Sequence, residues 1–135
     1  MLDPTREASI LRRVASIPIV DTLGMEVLEL ATGLCRIKVA RKPAYDGVFE
    51  SFHGGLLMTV ADSAACFAIL TVTGAEARLT TTDMNIRFLA PCLSDLTVAA
   101  RIIKVGRTMC PVSVELFDGA GVLVAVAQVN YILLA

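Results

Sequence analysis

The sequence predicts an α+β domain in which an antiparallel sheet covers one long buried helix, and three observations lead there. The stretch from Leu56 to Ala75 is apolar except for one formal charge, Asp62, and its small residues Ala61, Ala64, Ala65 and Ala68 recur at i, i+3, i+4 and i+7, one slim helical stripe that a sheet can approach closely. Segments on both sides of it alternate apolar and polar residues with the period of two that marks half-buried strands. No repeat and no linker composition interrupts the 135 residues, so 1–135 is read as one domain.

The elements follow in order. Asp3-Pro4 is a helix start, an acceptor side chain followed by a proline whose missing donor costs nothing at the first helical position. Ile10, Leu11 and Val14 then fall at helical spacing as far as Pro18. Met25 and Val27 lead to a break at Ala31-Thr32-Gly33, after which Cys35, Ile37 and Val39 alternate with Arg36 and Lys38, the pattern of a hairpin with one buried face. Arg41 to Phe52, with Pro43, Asp46 and Gly47, shows no period and reads as a loop of about a dozen residues, a length that points to function. The central helix begins near Gly54.

Four strands complete the chain. In the first, Met84, Ile86 and Phe88 alternate with Thr81, Asp83, Asn85 and Arg87; the second runs from Leu96 to Val105 and turns at Gly106-Arg107. The third sets Val112, Val114 and Leu116 opposite Ser113 and Glu115. Asp118-Gly119-Ala120-Gly121 is a hairpin turn into Val122 to Leu133, apolar on both faces, which places that strand inside the sheet or against another subunit.

Composition narrows the function classes. At 56% hydrophobic and 19% charged residues the chain folds, and so apolar a chain of this size points to a subunit interface, a homodimer or a dimer of dimers. Twelve basic against thirteen acidic residues give a formal net charge of -1, no field for attracting nucleic acid or an anionic membrane. The apolar stretch has the length of a membrane span, but Asp62 inside it would cost about 2.5–3.5 kcal/mol in a bilayer, so a buried helix is expected. Cys35, Cys66, Cys92 and Cys110, with a single histidine in the chain, form no zinc site, and no metal or other cofactor is expected. The first residues lack the basic-then-apolar order of a signal peptide, so reduced, buried thiols and a cytoplasmic location are the expectation.

The candidate chemistry lies at His53-Gly54-Gly55 and at Asp62. The first turn of a helix presents unpaired backbone donors and a partial positive charge, and glycines let a ligand oxygen approach them; a carbonyl oxygen that becomes negative in a transition state suits that place. The same three residues also serve simply to start a helix. Asp62 is seven or eight positions further on the same side, and a buried carboxylate is paired, protonated or used. Pairing with an arginine or a backbone donor is the alternative to a catalytic role.

The strings His53-Gly54-Gly55, Ala61-Asp62-Ser63, Thr81-Thr82-Asp83-Met84-Asn85-Ile86-Arg87-Phe88-Leu89-Ala90-Pro91 and Lys104-Val105-Gly106-Arg107 resemble the hotdog-fold acyl-CoA thioesterases of the phenylacetate-degradation type. The resemblance runs from about Gly24 to Tyr131. It implies a sheet wrapped around the central helix, protomers paired through their sheets, and two sites at that interface. It further implies that the Gly54 amide polarises the thioester carbonyl, and that Asp62 reaches across from the other protomer as general base or nucleophile. Thr81 stands where the family has a serine or threonine that bonds the carboxylate or the water, and His53, with Gly55 beside it, helps place the thioester. Met58, Phe52 and Phe88 line the acyl pocket or serve the core, and Arg107, with Arg87 or Arg101, meets the coenzyme A phosphates by fork-shaped hydrogen bonds or is a solvated surface arginine.

One position departs from the pattern. Many members carry an asparagine six residues before the histidine, holding water or substrate, and here Gly47 stands there. Asp46 and Glu50 are read as solvated loop carboxylates. The expected activity is hydrolysis of an acyl-CoA to acid and coenzyme A, and the alternative is an acyl-CoA-binding or effector-sensing protein without catalysis. A hydratase of the same fold ranks lower, because Asp46 precedes His53 by seven residues rather than five.

Overall fold

In the computed structural model, which describes residues 2–134, Asp3 caps the first helix, α1 (Pro4–Ala15), by accepting the backbone N–H of Thr5. Ile10 and Val14 face the core, as their spacing predicts. Pro18 does not merely stop this helix. It opens a second, α2 (Pro18–Leu23), which ends at Gly24 in the left-handed region, φ 68°. A proline fits the first turn of a helix as well as it ends one, so sequence alone did not reveal this short element.

The hairpin of β1 (Met25–Ala31) and β2 (Leu34–Val39) buries Cys35, Ile37 and Val39 as expected. After the loop, which contains a short 3-10 turn at Pro43–Tyr45, comes α3 (Gly54–Thr73), followed by β3 (Leu79–Phe88), β4 (Leu96–Ile102), β5 (Met109–Phe117) and β6 (Leu123–Leu133). The six strands form one sheet in the order β1-β2-β4-β5-β6-β3, antiparallel at every pairing. β6 lies between β5 and β3, with Ala125, Ala127, Val129 and Tyr131 on its buried face, while on the other face Gln128 is exposed and Val126 and Ile132 are half-buried; β1 and β3 are the edges.

The sheet curls around α3, as the hotdog resemblance implies. Ala61, Ala64, Ala65 and Ala68 are fully buried against Leu96, Val98 and Ala100 of β4 and their neighbours. Because these side chains are methyl groups, the backbone of α3 can lie close to the sheet. α3 is also the helix long and apolar enough to cross a membrane, and 56% of its most apolar window is buried inside the fold. Its carbonyl end, negative and short of donors, is closed by α1. Arg6 donates to the carbonyls of Thr71 and Val72, and Arg13 to those of Ala75 and Ala77. The Gly33 N–H at the β1–β2 turn donates to the buried Thr71 hydroxyl at 2.7 Å.

Three expectations are corrected here. β4 ends at Ile102 rather than Val105, because the next position faces Pro111, which accepts the Ile103 N–H but has no N–H to return, and the chain then bends through residue 106, where a Cβ would meet the Met109 carbonyl oxygen at 2.8 Å. In β3 the simple alternation fails. A register shift between Thr81 and Asp83 places Thr81 on the helix side together with Met84 and Ile86, although its odd number groups it with the outward residues. Of the four free thiols, Cys35, Cys92 and Cys110 are buried but Cys66 is half-buried. Burial pushes Cys35 up to about 12 and Cys66 up to about 11.

Candidate active site

The start of α3 is built by His53. Its Nδ1 accepts the Gly55 N–H at 2.9 Å, and its own backbone N–H donates to the Tyr45 carbonyl at 2.8 Å, tying the helix start to the preceding loop. His53 is therefore the helix cap, with its ring otherwise exposed. With Gly55 satisfied in this way, the Gly54 N–H is left without an acceptor among the described residues. It borders a cavity of about 370 Å³ walled by Phe52, Leu57, Phe88, Pro91 and Cys92. Met58 is half-buried on α3 and does not contribute to that wall. The Phe88 ring lies over the helix start so closely that a Cβ on Gly54 would sit 2.9 Å from its Cζ, and the ring is 52% exposed rather than in the core.

The loop before His53 is braced from one side. Arg41 grips Asp46 with two bonds, Nη2 to Oδ2 at 2.6 Å and Nε to Oδ1 at 3.1 Å, and donates also to the carbonyls of Leu93 and Glu50. Asp46 is thus an ion-paired brace and not the solvated carboxylate that the sequence suggested; Glu50 is exposed and is the one non-glycine residue with a left-handed backbone, φ 58°, among those described. Gly47 donates its N–H to the Ser51 carbonyl, and a Cβ there would lie 3.4 Å from the His53 ring.

Asp62 faces the sheet eight residues beyond Gly54, about 12 Å along the axis at about 1.5 Å per residue. Its Oδ1 accepts the Thr81 hydroxyl at 2.7 Å and the Tyr131 hydroxyl at 2.8 Å; the Tyr131 hydroxyl is also 2.9 Å from the Asp62 main-chain carbonyl. The partners are two neutral hydroxyls, with neither an arginine nor a backbone donor, and Oδ2 has no hydrogen-bond partner among the described residues. Tyr131 was not singled out by sequence. Its signal was available: an inward tyrosine on β6 needs a partner for its hydroxyl, and a carboxylate inside an apolar helix needs a donor. Burial, first, keeps the Tyr131 phenol well above its usual range, so the hydroxyl remains a donor.

Arg107 is exposed in the β4–β5 turn, at the end of the sheet where Cys110 pairs with Tyr131. Arg87 and Arg101 are exposed on β3 and β4. Among the described residues no group of three or more histidine, cysteine or acidic side chains converges on a metal position.

Comparison with known proteins identifies the family. The thioesterase superfamily profile matches residues 49–125, from the loop before α3 to the start of β6. Acyl-coenzyme A thioesterase 13 of Homo sapiens is 32% identical over 96 residues, which cover 68% of this chain and 66% of that protein, just under two thirds of its length. The structure of the E. coli PaaI protein from the phenylacetic acid degradation operon superposes with a TM-score of 0.90 at 18% identity, covering 100% of this chain and 97% of that one, a likeness of fold. S. sahachiroi AziG superposes with a TM-score of 0.81 at 26% identity, covering 87% of this chain and 97% of that one. A hotdog sheet around a small-residue helix, an open amide at the start of that helix and a profile match across more than half of the sequence have one reading: the chain belongs to the thioesterase superfamily.

Proposed function

We propose that residues 1–135 form one domain that hydrolyses an acyl-CoA thioester to the free acid and coenzyme A, working in the cytoplasm as a homodimer or a dimer of dimers. The relationship to acyl-coenzyme A thioesterase 13 supports the substrate class. The observation that carries the mechanism is the distance along α3. A carbonyl oxygen held by the Gly54 N–H sits about 3 Å from it, and the group that activates water must stand within about 3 Å of that water. Asp62 of the same protomer is about 12 Å away, so the carboxylate that serves a given Gly54 comes from the partner protomer. The outer edge of β3 is the natural seam, since a ten-residue unpaired edge leaves a row of backbone donors and acceptors that pairing satisfies.

In this site Asp62 takes a proton from water as the oxygen attacks the carbonyl carbon. The oxyanion is stabilised by the Gly54 N–H and the positive end of α3; the C–S bond then breaks, and the coenzyme A thiolate recovers the proton. Direct attack by Asp62 gives a mixed anhydride that water hydrolyses, and uses the same two residues. Thr81 holds the carboxylate, while His53 and Gly55 shape the helix start. Phe88 covers the acyl group with Met58 at the seam, the backbone of Gly47 borders the thioester, and Arg107 meets the phosphates. Gly47 has no side chain to hold water, and this favours a second reading, a binding or effector-sensing protein with little turnover.

The test is to incubate the protein with aromatic and medium-chain acyl-CoAs while trapping released thiol, and to measure its mass by light scattering. Thiol release by a dimer or tetramer is expected. Tight binding without release would establish the second reading, and an active monomer would sink the shared site.

A further inference from the structure

The Asp62 carboxylate is held from one rung of the sheet. Thr81 and Tyr131 are directly paired residues of β3 and β6, and both hydroxyls end on Oδ1, at 2.7 and 2.8 Å. The register shift after Thr81 is what turns that residue toward the helix, so the rung is specifically shaped to present two donors on one side. The two donors are not equivalent. A threonine hydroxyl rotates about one bond, whereas Tyr131 is 5% exposed, its ring is fixed by packing, and its hydroxyl lies within reach of both Oδ1 and the main-chain carbonyl of Asp62. Its single proton lies between those two acceptors, so the phenol ties Oδ1 to the helix backbone at that turn. With both hydroxyls on Oδ1, Oδ2 is left without a partner among the described residues.

We propose that Tyr131 is a positioning residue: with Thr81 it occupies Oδ1 and fixes the carboxylate plane, so that Oδ2 is the oxygen that meets the water or the thioester. The proposal rests on the catalytic role of Asp62 given above. In the general-base route the water proton goes to Oδ2 and returns from it to the leaving sulfur, while the Tyr131 proton stays on its phenol throughout. In the covalent route Oδ2 forms the bond to the acyl carbon as the C–S bond breaks and coenzyme A leaves as the thiolate; Oδ1 becomes the anhydride carbonyl, still bonded to the two hydroxyls, until water cleaves the anhydride to the free acid and the Asp62 carboxylate, its spare proton going to the thiolate.

The experiment combines kinetics with proton NMR. Tyr131→Phe is expected to lower kcat about tenfold with KM unchanged within about twofold, the loss of a charge-assisted hydrogen bond that matters in the transition state. In an Asp62→Asn background the same substitution is expected to have no further effect, because a positioning residue acts only through the group it positions. An unchanged kcat, or an equal loss in both backgrounds, would overturn the proposal. Independently of turnover, the Tyr131 hydroxyl proton is expected as a downfield resonance that vanishes in Tyr131→Phe and moves upfield in Asp62→Asn; its absence from wild type would overturn the contact itself. Wild type with no turnover but with this resonance would refute the catalytic reading and leave the contact standing, so the two failures are distinct. Should Tyr131→Phe not fold, Tyr45→Phe leaves Tyr131 as the single tyrosine. Replacing it with 3-fluorotyrosine, a stronger donor, is then expected to shift the resonance further downfield and change kcat but not KM, and no change in either would count against the proposal.

Discussion

Two stations on α3 differ in how completely they are built. At Asp62 one carboxylate oxygen is fully held within one protomer, by two hydroxyls from one rung of the sheet at hydrogen-bond length. At Gly54 the amide is open, its neighbour Phe88 is half exposed, and the loop behind it is held from one side by Arg41. The difference teaches where rigidity is needed. The carboxylate sits against paired strands, whereas the cavity at Gly54, where the acyl group is proposed to bind, is framed by an exposed ring and a loop.

The largest test of this contrast is Asp62→Asn. Asparagine keeps an oxygen for both hydroxyls, so the melting temperature is expected to hold while kcat falls about a hundredfold or more, the scale of a lost base or nucleophile. A stopped assay that found normal turnover would make the complete station structural. Next comes Gly54→Ala at the open station. The added methyl would lie 2.9 Å from the Phe88 Cζ, and because that ring is half exposed it can swing aside, leaving stability nearly intact. The displaced ring narrows the cavity, and kcat/KM is expected to fall about tenfold, mostly through KM. Kinetics unchanged by this substitution would place the acyl group elsewhere.

A smaller effect, and a gain, is expected from Gly47→Asn. The position does not require a left-handed backbone, and a Cβ there makes van der Waals contact with His53, so an asparagine fits beside the helix start. It is expected to raise kcat/KM about threefold by holding water or substrate. Asp46→Ala, by contrast, releases Arg41 and is expected to lower thermal stability rather than the chemical step; if it abolished turnover at full stability, Asp46 would be the replacement for the family asparagine.

The smallest effect in the working range is that of pH on stability. The Cys35 and Cys66 thiols lie at about 12 and about 11 in the fold, above their ordinary value of 9.0. The folded protein thus favours their neutral forms. This contribution is full below pH 9 and is lost as pH rises through 9 toward 11–12, where the unfolded chain sheds protons that the folded one retains. Urea midpoints are expected to be insensitive to these thiols up to pH 9 and to drop above it, and Cys35→Ala is expected to flatten the drop.

Much of this molecule is legible in its sequence wherever a period is unbroken. The alanine stripe, the β2 alternation and the turn at Asp118 fall where spacing puts them, because burial of one face is a local, repeating constraint. Thr81 is the instructive exception. A single extra residue in β3 reverses the face of everything before it, and no local residue type announces that shift. Counting by twos puts Thr81 on the outer face, whereas its hydroxyl reaches Asp62. Asp46 was misread because its partner, Arg41, lies across the 3-10 turn, and the contact exists only once that turn has formed. Tyr131 escaped notice because its importance is a matter of pairing, not of period.

The enclosure of α3 has a consequence for how the protein breathes. Amides in the middle of the helix, around Ala64 to Ala68, have the sheet on their alanine face and α1 clamped by two arginines at the helix C-terminus. Their exchange with deuterium should proceed only through global unfolding, so their protection reports the stability of the whole fold, while the amide of Gly54 exchanges from the native state at nearly the rate of an open chain.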